Sequence, residues 1–371
     1  QELLNITDKF AKKYHIQFGK EKSKYMVIGK SRDNPRFDLG DMQIERTTQY
    51  KYLGEILSET NKIGDHVKEA RRKAEAALQT IFTVAGDSNL KGLEMKTIWK
   101  LIETCIIPVI TYSSETWDIK RKSDKEELNS ILDNILKRLL MTPRTTPREA
   151  LYIETKMLDV EHSIELRQIL GLNRIERTQN NLLNSILNTS SRDSWKKRVI
   201  KTREKYTDTV LEQCTKQVAK KIANQAVTDA HMGKMIDAGF HPRKPKSKIK
   251  YLVEGLERPY SAKKPMYITE LGRYDASIMF KARTRMLDLK DNYRGKYRDP
   301  SCRGCGASIE TQQHVLEECS GLHVDNNSKV WKSTLFHDDD ARICKEVARR
   351  LHVIMGKLER GGEENGIVLQ P

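Results

Sequence analysis

Four residues near the C-terminus follow the pattern C-x2-C-x8-H-x4-C, which restricts the fold more than any other feature of the chain. They are Cys302, Cys305, His314 and Cys319. At this spacing, three thiolates and one imidazole can surround a single Zn²⁺ tetrahedrally, and four protein ligands leave no open position for a substrate. The pattern therefore predicts a zinc knuckle in residues 301–325, with structural Zn²⁺ as the cofactor.

Residues around this cluster fit the same interpretation. Gly304 and Gly306 allow the backbone to curl around a metal, and Thr311 can begin a short helix that carries the histidine. Residues five apart on an α-helix lie about 140° from each other, so Cys319 is expected just where that helix ends. Two alternatives remain open. His323 could replace one ligand, or the cysteines could be unrelated loop residues.

The charge of the chain is large and uneven. Lys and Arg number 67 against 51 Asp and Glu, for a formal net charge of +16. Residues 241–298 alone hold 16 basic and 6 acidic residues. A positive field of this kind attracts polyanions, nucleic acid first and anionic lipid second. We expect residues 241–298 to be the main electrostatic footprint.

Composition argues against a membrane protein or a disulfide scaffold. The longest apolar run, residues 105–110, is too short to span a bilayer, and residues 1–4 lack signal-peptide features. Six cysteines are too few for a disulfide framework and favour a reducing compartment. We expect an intracellular protein, nuclear or cytoplasmic, with no membrane partner. Cys105, Cys214 and Cys344 are predicted to be small core residues.

Apolar periodicity divides the chain into a short strand-containing start and a long helical remainder, an α+β fold. A helix is predicted over residues 2–14, followed by a β-type run at 24–29, a hairpin at 37–44 and a further short strand at 50–54. Residues 241–248, rich in proline and cations, predict an extended basic linker. Further helices are predicted at 65–85, 91–112, 123–141, 146–154, 161–178, 192–206, 207–238, 274–289 and, capped by Asp340, 341–358.

Several local patterns, in this order, resemble those of non-LTR (LINE-type) retrotransposon reverse transcriptases. Residues 3–10 resemble the palm helix that follows the family's F/Y-A-D-D strand, and IQFGKEKSK at 16–24 resembles L-x-I-N-x-x-K-T-K. YKYLG at 50–54 resembles the F-x-Y-L-G primer-grip strand, and PVITYSSETW at 108–117 resembles the thumb motif P-x-x-x-Y-G-x-E-x-W. A basic helix containing Arg283-Thr284-Arg285 precedes the knuckle, as in the family. Together these patterns cover nearly the whole chain.

Some positions depart from the family pattern. Gly19 stands where Asn is usual, and His15 and Ser113 stand where Gly is usual, so the local backbone is expected to differ there. The family's Mg²⁺-binding aspartates would lie before residue 1, and no such pair occupies the expected place. The first residue is Gln rather than Met, which suggests a fragment. FHDD at 336–339 fits F-x-D-D but follows the knuckle, so we interpret it as a solvated helix cap.

The resemblance implies how the chain is organised and what it does. A small partial palm sheet would be followed by a mostly α-helical thumb and linker, a small zinc knuckle and a last helix. The parent protein would be an RNA-directed DNA polymerase. This chain would hold template RNA, primer and target DNA, duplex or single-stranded, for target-primed reverse transcription. Mg²⁺ would belong only to the complete polymerase with its missing N-terminal portion, and the chain alone is predicted to be inactive. The implied units are 1–60 partial palm with primer-grip strand, 61–180 thumb, 181–300 basic helical linker, 301–325 CCHC knuckle, and 326–371 C-terminal helix with acidic tail.

No catalytic residue is assigned, but several residues are candidates for nucleic-acid contact. The resemblance makes Lys22 the palm lysine near the leaving pyrophosphate, and Tyr52, Leu53 and Gly54 the tight turn that holds the primer end. The alternatives are a solvated lysine and an ordinary hairpin. Cations expected to contact phosphates are Lys24, Lys68, Arg71, Arg72, Lys73, Arg243, Lys244, Lys246, Lys248, Arg283 and Arg285.

Other interpretations of these patterns stay open. A charged helix face is often only solvated, and Arg283 and Arg285 could pair with Asp288 or Asp291 instead of phosphate. A second functional class is a non-enzymatic, zinc-dependent helical interaction or scaffold protein. A third is part of a nuclease, in which residues 338–340 would bind Mg²⁺.

Overall fold

The N-terminal residues form a helix and two small sheets. The computed structural model describes residues 1–371 except 29–33, 61–62, 85–93, 120, 179, 189–193, 262, 307 and 365–371. Helix α1 (Glu2–Lys13) is followed by strands β1 (Lys24–Tyr25), β2 (Phe37–Leu39) and β3 (Met42–Arg46). β3 lies in the middle, parallel to β1 and antiparallel to β2. The hairpin predicted at 37–44 is confirmed. Of the strand predicted at residues 24–29, only β1 is strand. Residue 29 lies outside the described part of the chain.

The second sheet is a hairpin of β4 (Gln49–Tyr52) and β5 (Glu55–Ser58), which pair antiparallel. Leu53 and Gly54 form its two-residue turn, with φ of 47° and 88°. Positive φ at both central positions is the geometry that matches the twist of a two-residue hairpin. The run predicted at 50–54 is therefore one strand and the turn that follows it.

The remainder is helical, so the chain as a whole is α+β and mostly α. A π-helical segment, Ile102–Ile106, joins two of the helices. None of the helices in the described ranges combines the length and the apolar character that a bilayer crossing requires. The helices are α2 (Gly64–Val84), α3 (Met95–Leu101), α4 (Ile107–Ile110), α5 (Lys122–Leu139), α6 (Arg148–Thr155), α7 (Val160–Arg177), α8 (Asn181–Leu187), α9 (Trp195–Glu204), α10 (Lys216–Asp237), α11 (Ser247–Gly255), α12 (Met266–Glu270), α13 (Arg273–Arg283), α14 (Lys332–Leu335) and α15 (Ala341–Glu364).

Three predicted boundaries differ for local reasons. α10 begins at Lys216 rather than 207 because the Thr215 side chain caps it, accepting a hydrogen bond from the Val218 amide. α13 ends at Arg283 rather than 289, since Arg285 adopts φ of 52° and reverses the chain. α11 begins inside the predicted linker, so only residues 241–246 are non-helical, and these are exposed.

One continuous hydrophobic core runs from α2 to α15 and includes Cys302 and Cys319. A smaller cluster fills the space between α7 and α10. Cys344 is buried as predicted, but Cys214 is half-buried and Cys105 is exposed. Cys105 lies in the π-helical segment, whose Ile residues at 102 and 106 are the ones that face the core.

Candidate metal centre and basic surface

The four predicted metal ligands converge. One donor atom from each of Cys302, Cys305, His314 and Cys319 lies within 4.8 Å of the other three. The sulfurs of Cys302 and Cys319 are 3.7 Å apart, and Cys305 Sγ is 3.4 Å from His314 Nε2. A tetrahedral zinc site with Zn–S bonds of 2.3 Å would separate two sulfurs by about 3.8 Å. The structure thus contains a Cys3His cluster at metal-binding distance.

The backbone around the cluster explains why these residues meet. Gly306 has φ of 68°, a left-handed conformation that suits glycine. A Cβ on Gly321 would lie 2.0 Å from the Gly304 carbonyl oxygen, so the two ends of the loop approach too closely for a side chain. His314 begins a π-helical turn, and the Cys319 amide donates to the His314 carbonyl at 2.8 Å. Cys319 therefore follows directly after the turn, as predicted.

The thiol of Cys319 is unlike an ordinary surface cysteine. Burial, and then the neighbouring Cys302, raise the pKa of Cys319 to about 12. The fold alone therefore keeps this sulfur protonated at neutral pH, whereas a bound cation deprotonates a coordinating thiol. His323 is not part of the cluster, because its Nε2 lies 2.9 Å from the Val315 carbonyl oxygen.

Sequence inspection missed the residue that holds the cluster in place. Glu310 is fully buried and accepts hydrogen bonds from the Arg303 guanidinium and from the amides of Arg303 and Lys290. The Arg303 guanidinium also donates to the Asp288 carbonyl. The sequence does contain a signal for this pair. An acidic residue lies between the second cysteine and the histidine, and an arginine lies between the first two cysteines.

Arg283, predicted to contact nucleic acid, is instead a core residue. Its side chain is 0% exposed and pairs with Glu154 at 3.1 Å and Asp338 at 2.8 Å. The predicted alternative partners were Asp288 and Asp291. Arg283 cannot reach a phosphate in this arrangement, because α13 turns it towards the interior.

Arg285, two residues further on, lines a basic cleft with a cavity volume of about 510 Å³. It pairs with Asp291 at 3.2 Å, one of the predicted pairings, and its guanidinium carbon lies 5.7 Å from the Tyr251 ring centre. Lys332 Nζ lies 4.8 Å from the same ring centre. We define the basic cleft as Tyr251, Arg285, Gln312 and Lys332, which line the cavity, together with the neighbouring Lys248.

Lys248 and Gln312 differ in how far their polar atoms are satisfied, since Lys248 Nζ donates to Met286 Sδ at 2.9 Å. Burial, and then the charge of Arg285, lower the pKa of Lys248, and its Nζ lies 5.5 Å from the Tyr293 ring centre. Gln312 is buried and donates from Nε2 to Tyr251 Oη and the Ala282 carbonyl, but its Oε1 has no partner among the described residues. Sequence inspection missed Tyr251 and Lys332, although Trp331-Lys332 just after the knuckle is an aromatic-cation pair.

The predicted linker leads directly into this cleft. Arg243, Lys244 and Lys246 are exposed, and Lys248 follows in the first turn of α11. Lys246 pairs with Glu149 at 2.7 Å. No ion pair of Arg243 or Lys244 occurs within the described ranges. These two side chains are therefore open to an external anion.

The predicted thumb cations are largely engaged by the protein itself. Lys68 pairs with Asp65, and Arg72 and Lys73 pair with Glu69. The hydrogen bond from Arg72 lowers the pKa of Glu69 to about 2. Arg71 donates to Ser130 Oγ at 2.8 Å and so joins α2 to α5. This pattern fits the alternative of a solvated, internally paired helix face.

The residues proposed for the primer grip do form a tight, exposed turn. The Tyr112 hydroxyl donates to the Leu53 carbonyl at 2.7 Å, and a Cβ on Gly54 would lie 3.1 Å from the Tyr112 ring. Tyr52 and Leu53 side chains are exposed. Two motifs more than 50 residues apart, at 50–54 and 108–117, therefore meet at this turn.

Lys22 and Lys24, both predicted to contact nucleic acid, differ in their surroundings. Lys22 is exposed, and its carbonyl accepts a hydrogen bond from the Tyr50 hydroxyl at 2.8 Å. Lys24 pairs with Glu45 across β1 and β3. Lys22 is thus open to solvent, whereas Lys24 already has a carboxylate partner.

The acidic run at 338–340 does not form a metal site in the described residues. Asp338 pairs with Arg283, and Asp340 accepts from the Arg342 amide at the start of α15, as a helix cap does. The cap predicted for Asp340 is confirmed. Asp338, in contrast, is an ion-pair partner rather than a solvated residue.

Comparison of the chain with protein-family models, with curated proteins and with solved structures found no match.

Proposed function

We propose that the chain is the C-terminal part of a non-LTR retrotransposon reverse transcriptase and that it binds RNA and DNA through the basic cleft. The observation that carries this proposal is the cleft itself. Arg285, Lys332 and Tyr251 line a cavity of about 510 Å³ next to the Cys3His cluster, together with Glu317, and Lys248 lies close enough to Arg285 for their charges to interact. Cations contribute phosphate affinity, and an aromatic ring contributes a face for an unpaired base.

The basic cleft has a natural entrance and exit for a strand. The exposed Arg243 and Lys244 lie before it in the chain. Beyond it, Trp331 is 43% exposed, with Lys329 Nζ lying 5.3 Å from the centre of its ring. Cations interleaved with exposed aromatic rings are the pattern of a single-strand binding groove. We place single-stranded RNA or DNA along this path.

The Cys3His cluster fits structural Zn²⁺. Cys302, Cys305, His314 and Cys319 would all be ligands, which leaves no position for a substrate. Zinc would cross-link the loop that carries Gln312 into the basic cleft. In this role the metal shapes the binding surface and takes no part in a reaction.

Two details at the hairpin support the resemblance to reverse transcriptases. The primer-grip and thumb patterns come together through the hydrogen bond from Tyr112 to Leu53. His15 and Ser113, which replace family glycines, have φ of 53° and 60°. A left-handed backbone at both positions is what glycine accommodates best. We propose that the chain holds template and primer but does not itself extend a primer.

The proposal is tested by fluorescence anisotropy of labelled single-stranded RNA and DNA oligonucleotides at two salt concentrations. The triple variant Lys248→Gln/Arg285→Gln/Lys332→Gln should weaken binding and flatten its salt dependence, since each phosphate contact contributes about 0.9 to the slope for duplex and about 0.7 for single strands. Lys12→Gln/Lys122→Gln, at two exposed cations far from the basic cleft in sequence, is the control and should bind like the wild type. Equal affinity of the triple variant and the wild type would remove the proposal. So would salt-independent binding.

A further inference from the structure

His231, on α10, is a histidine whose surroundings do not satisfy it. Its side chain is fully buried, and neither ring nitrogen has a hydrogen-bond partner among the described residues. Leaving a buried polar group without a partner is energetically unfavourable. Buried groups of this kind in native proteins call for an explanation such as a water molecule or an ion.

The nearest polar groups are two residues at the start of α7. Asp159 Oδ2 lies 3.7 Å from His231 Nε2, and Asp159 Oδ1 lies 2.6 Å from His162 Nδ1. The two imidazole rings are 4.7 Å apart between centres. One donor atom from each of the three residues lies within 4.8 Å of the other two. Asp159 and His162 are buried as well.

This set of donors is one that binds zinc. Imidazole nitrogen and carboxylate oxygen coordinate Zn²⁺ at about 2.0–2.2 Å, so donors around one ion lie roughly 3.3–3.6 Å apart. The 3.7 Å pair needs almost no adjustment to meet this geometry. The 2.6 Å pair of Asp159 Oδ1 and His162 Nδ1 would have to open by about 0.7–1.0 Å.

Arg148 is the group that competes with a metal ion at this place. Its guanidinium lies 3.1 Å from Asp159 Oδ2. It also lies 3.5 Å from Asp133 on the far side. A divalent ion at Asp159 would leave Arg148 with Asp133 as its carboxylate partner, so neither charge would be isolated in the core.

We infer that Asp159, His162 and His231 form a second, structural Zn²⁺ site that fastens the start of α7 to α10. Three protein ligands leave a fourth position for a water molecule. The site is buried, so it takes no substrate. It shares no residue with the basic cleft or the Cys3His cluster, so it stands or falls independently of the proposed function.

Metal content of the full chain tests this inference. The protein is loaded with Zn²⁺ under reducing conditions, desalted and analysed by plasma mass spectrometry. We expect two equivalents in the wild type, one in His231→Gln, and two in His66→Gln. His66 is a matched control, because it is also buried and its Nε2 also lacks a partner among the described residues. One equivalent in the wild type that His231→Gln retains overturns the inference, because that ion is then bound at the Cys3His cluster.

Co²⁺ loading separates the two sites by their chemistry. Thiolate ligands give intense charge-transfer absorption, whereas a His2Asp site gives only weak ligand-field bands. His231→Gln should keep the charge-transfer absorption and lose one equivalent of Co²⁺. Cys305→Ser should disturb that absorption and keep the other equivalent. Two equivalents retained in a folded His231→Gln protein, as judged by circular dichroism, would assign the second ion elsewhere and overturn the inference.

Discussion

Arg283 is a charged residue that is fully buried in the interior of the protein. Its guanidinium pairs with Glu154 and Asp338 and lies 4.9 Å and 4.7 Å from the ring centres of Tyr267 and Phe336. Burial acts to lower the pKa of Arg283, but Glu154, Tyr267 and Asp338 together outweigh it and raise that pKa. The residue therefore stays charged and joins α13, α6 and the segment before α15.

Replacing Arg283 should lower the free energy of unfolding and leave the basic cleft unchanged. Arg283→Met leaves Glu154 buried without its cation, and breaking a buried pair in this way costs about 3–5 kcal/mol. Urea unfolding measures this free energy. Arg243→Met, at an exposed arginine, is the control and should change it by no more than about 0.5 kcal/mol. Similar unfolding midpoints for both variants would contradict the role assigned to Arg283.

Arg283 also shows where inference from sequence stops. It follows Met279 and Phe280 by four and three residues, so its place on the buried face of a helix was readable. Its partner Glu154 is 129 residues away, and no local pattern reveals that pair. The four members of the Cys3His cluster, by contrast, were predicted to converge because they lie within 18 residues and zinc chemistry fixes the spacing of such ligands.

His66 should make stability sensitive to mild acid. It is buried against Trp117, and its Nδ1 accepts a hydrogen bond from the Ile56 amide. Burial lowers the pKa of His66, an effect opposed by Glu55. The folded state thus resists protonation more than the unfolded state. His66 therefore contributes fully to the free energy of unfolding above its pKa in the unfolded state, which is about 6.5. This contribution is lost as pH falls towards the lower pKa of His66 in the folded state.

This expectation is checked by measuring Tm at pH 7.5 and pH 5.0. The wild type should lose more between the two values than His66→Gln, whose side chain does not titrate. An equal loss in both proteins would show that folding does not lower the pKa of His66.

Among the elements, the β4–β5 hairpin has a turn whose backbone conformation requires glycine. Gly54 has φ of 88° and faces the Tyr112 ring. Gly54→Ala should destabilise the protein by about 1–2 kcal/mol, the cost of a left-handed backbone with a Cβ. Gly64→Ala is the control, because a Cβ there meets no atom within 4 Å. Unfolding in urea measures both. An unchanged Gly54→Ala protein would mean that this turn is not fixed.

Elements with strong local signals were predictable, and those defined by distant contacts were not. The cap at Asp340 and the hairpin at 37–44 were read from residue type and spacing. The short helix α12 has no such signal, because it is held by a distant contact in which Trp99 Nε1 donates to the Ile268 carbonyl at 2.8 Å. The early end of α13 depends on a left-handed arginine, a conformation that sequence does not indicate.

At the scale of the whole molecule, the segment that carries the Cys3His cluster is part of the main hydrophobic core. Cys302, Val315, Cys319 and Leu322 belong to the same hydrophobic core as α2, α5 and α15. The buried contacts of Glu310 with Arg303 and Lys290 join the loop to the segment that follows α13. A change at the metal cluster should therefore be felt by the entire core.

Cys305→Ser tests this coupling without touching the second metal site. If the Cys3His cluster holds Zn²⁺, losing one thiolate should lower the Tm of the single helical transition followed by circular dichroism at 222 nm. Cys105→Ser, at an exposed cysteine in the π-helical segment, is the matched control and should melt like the wild type. Should Cys305→Ser lose one equivalent of zinc and still melt at the wild-type temperature, the knuckle would be energetically separate from the core. Because Cys302 and Cys319 are packed inside that core, we expect the cluster segment and the core to unfold in one transition.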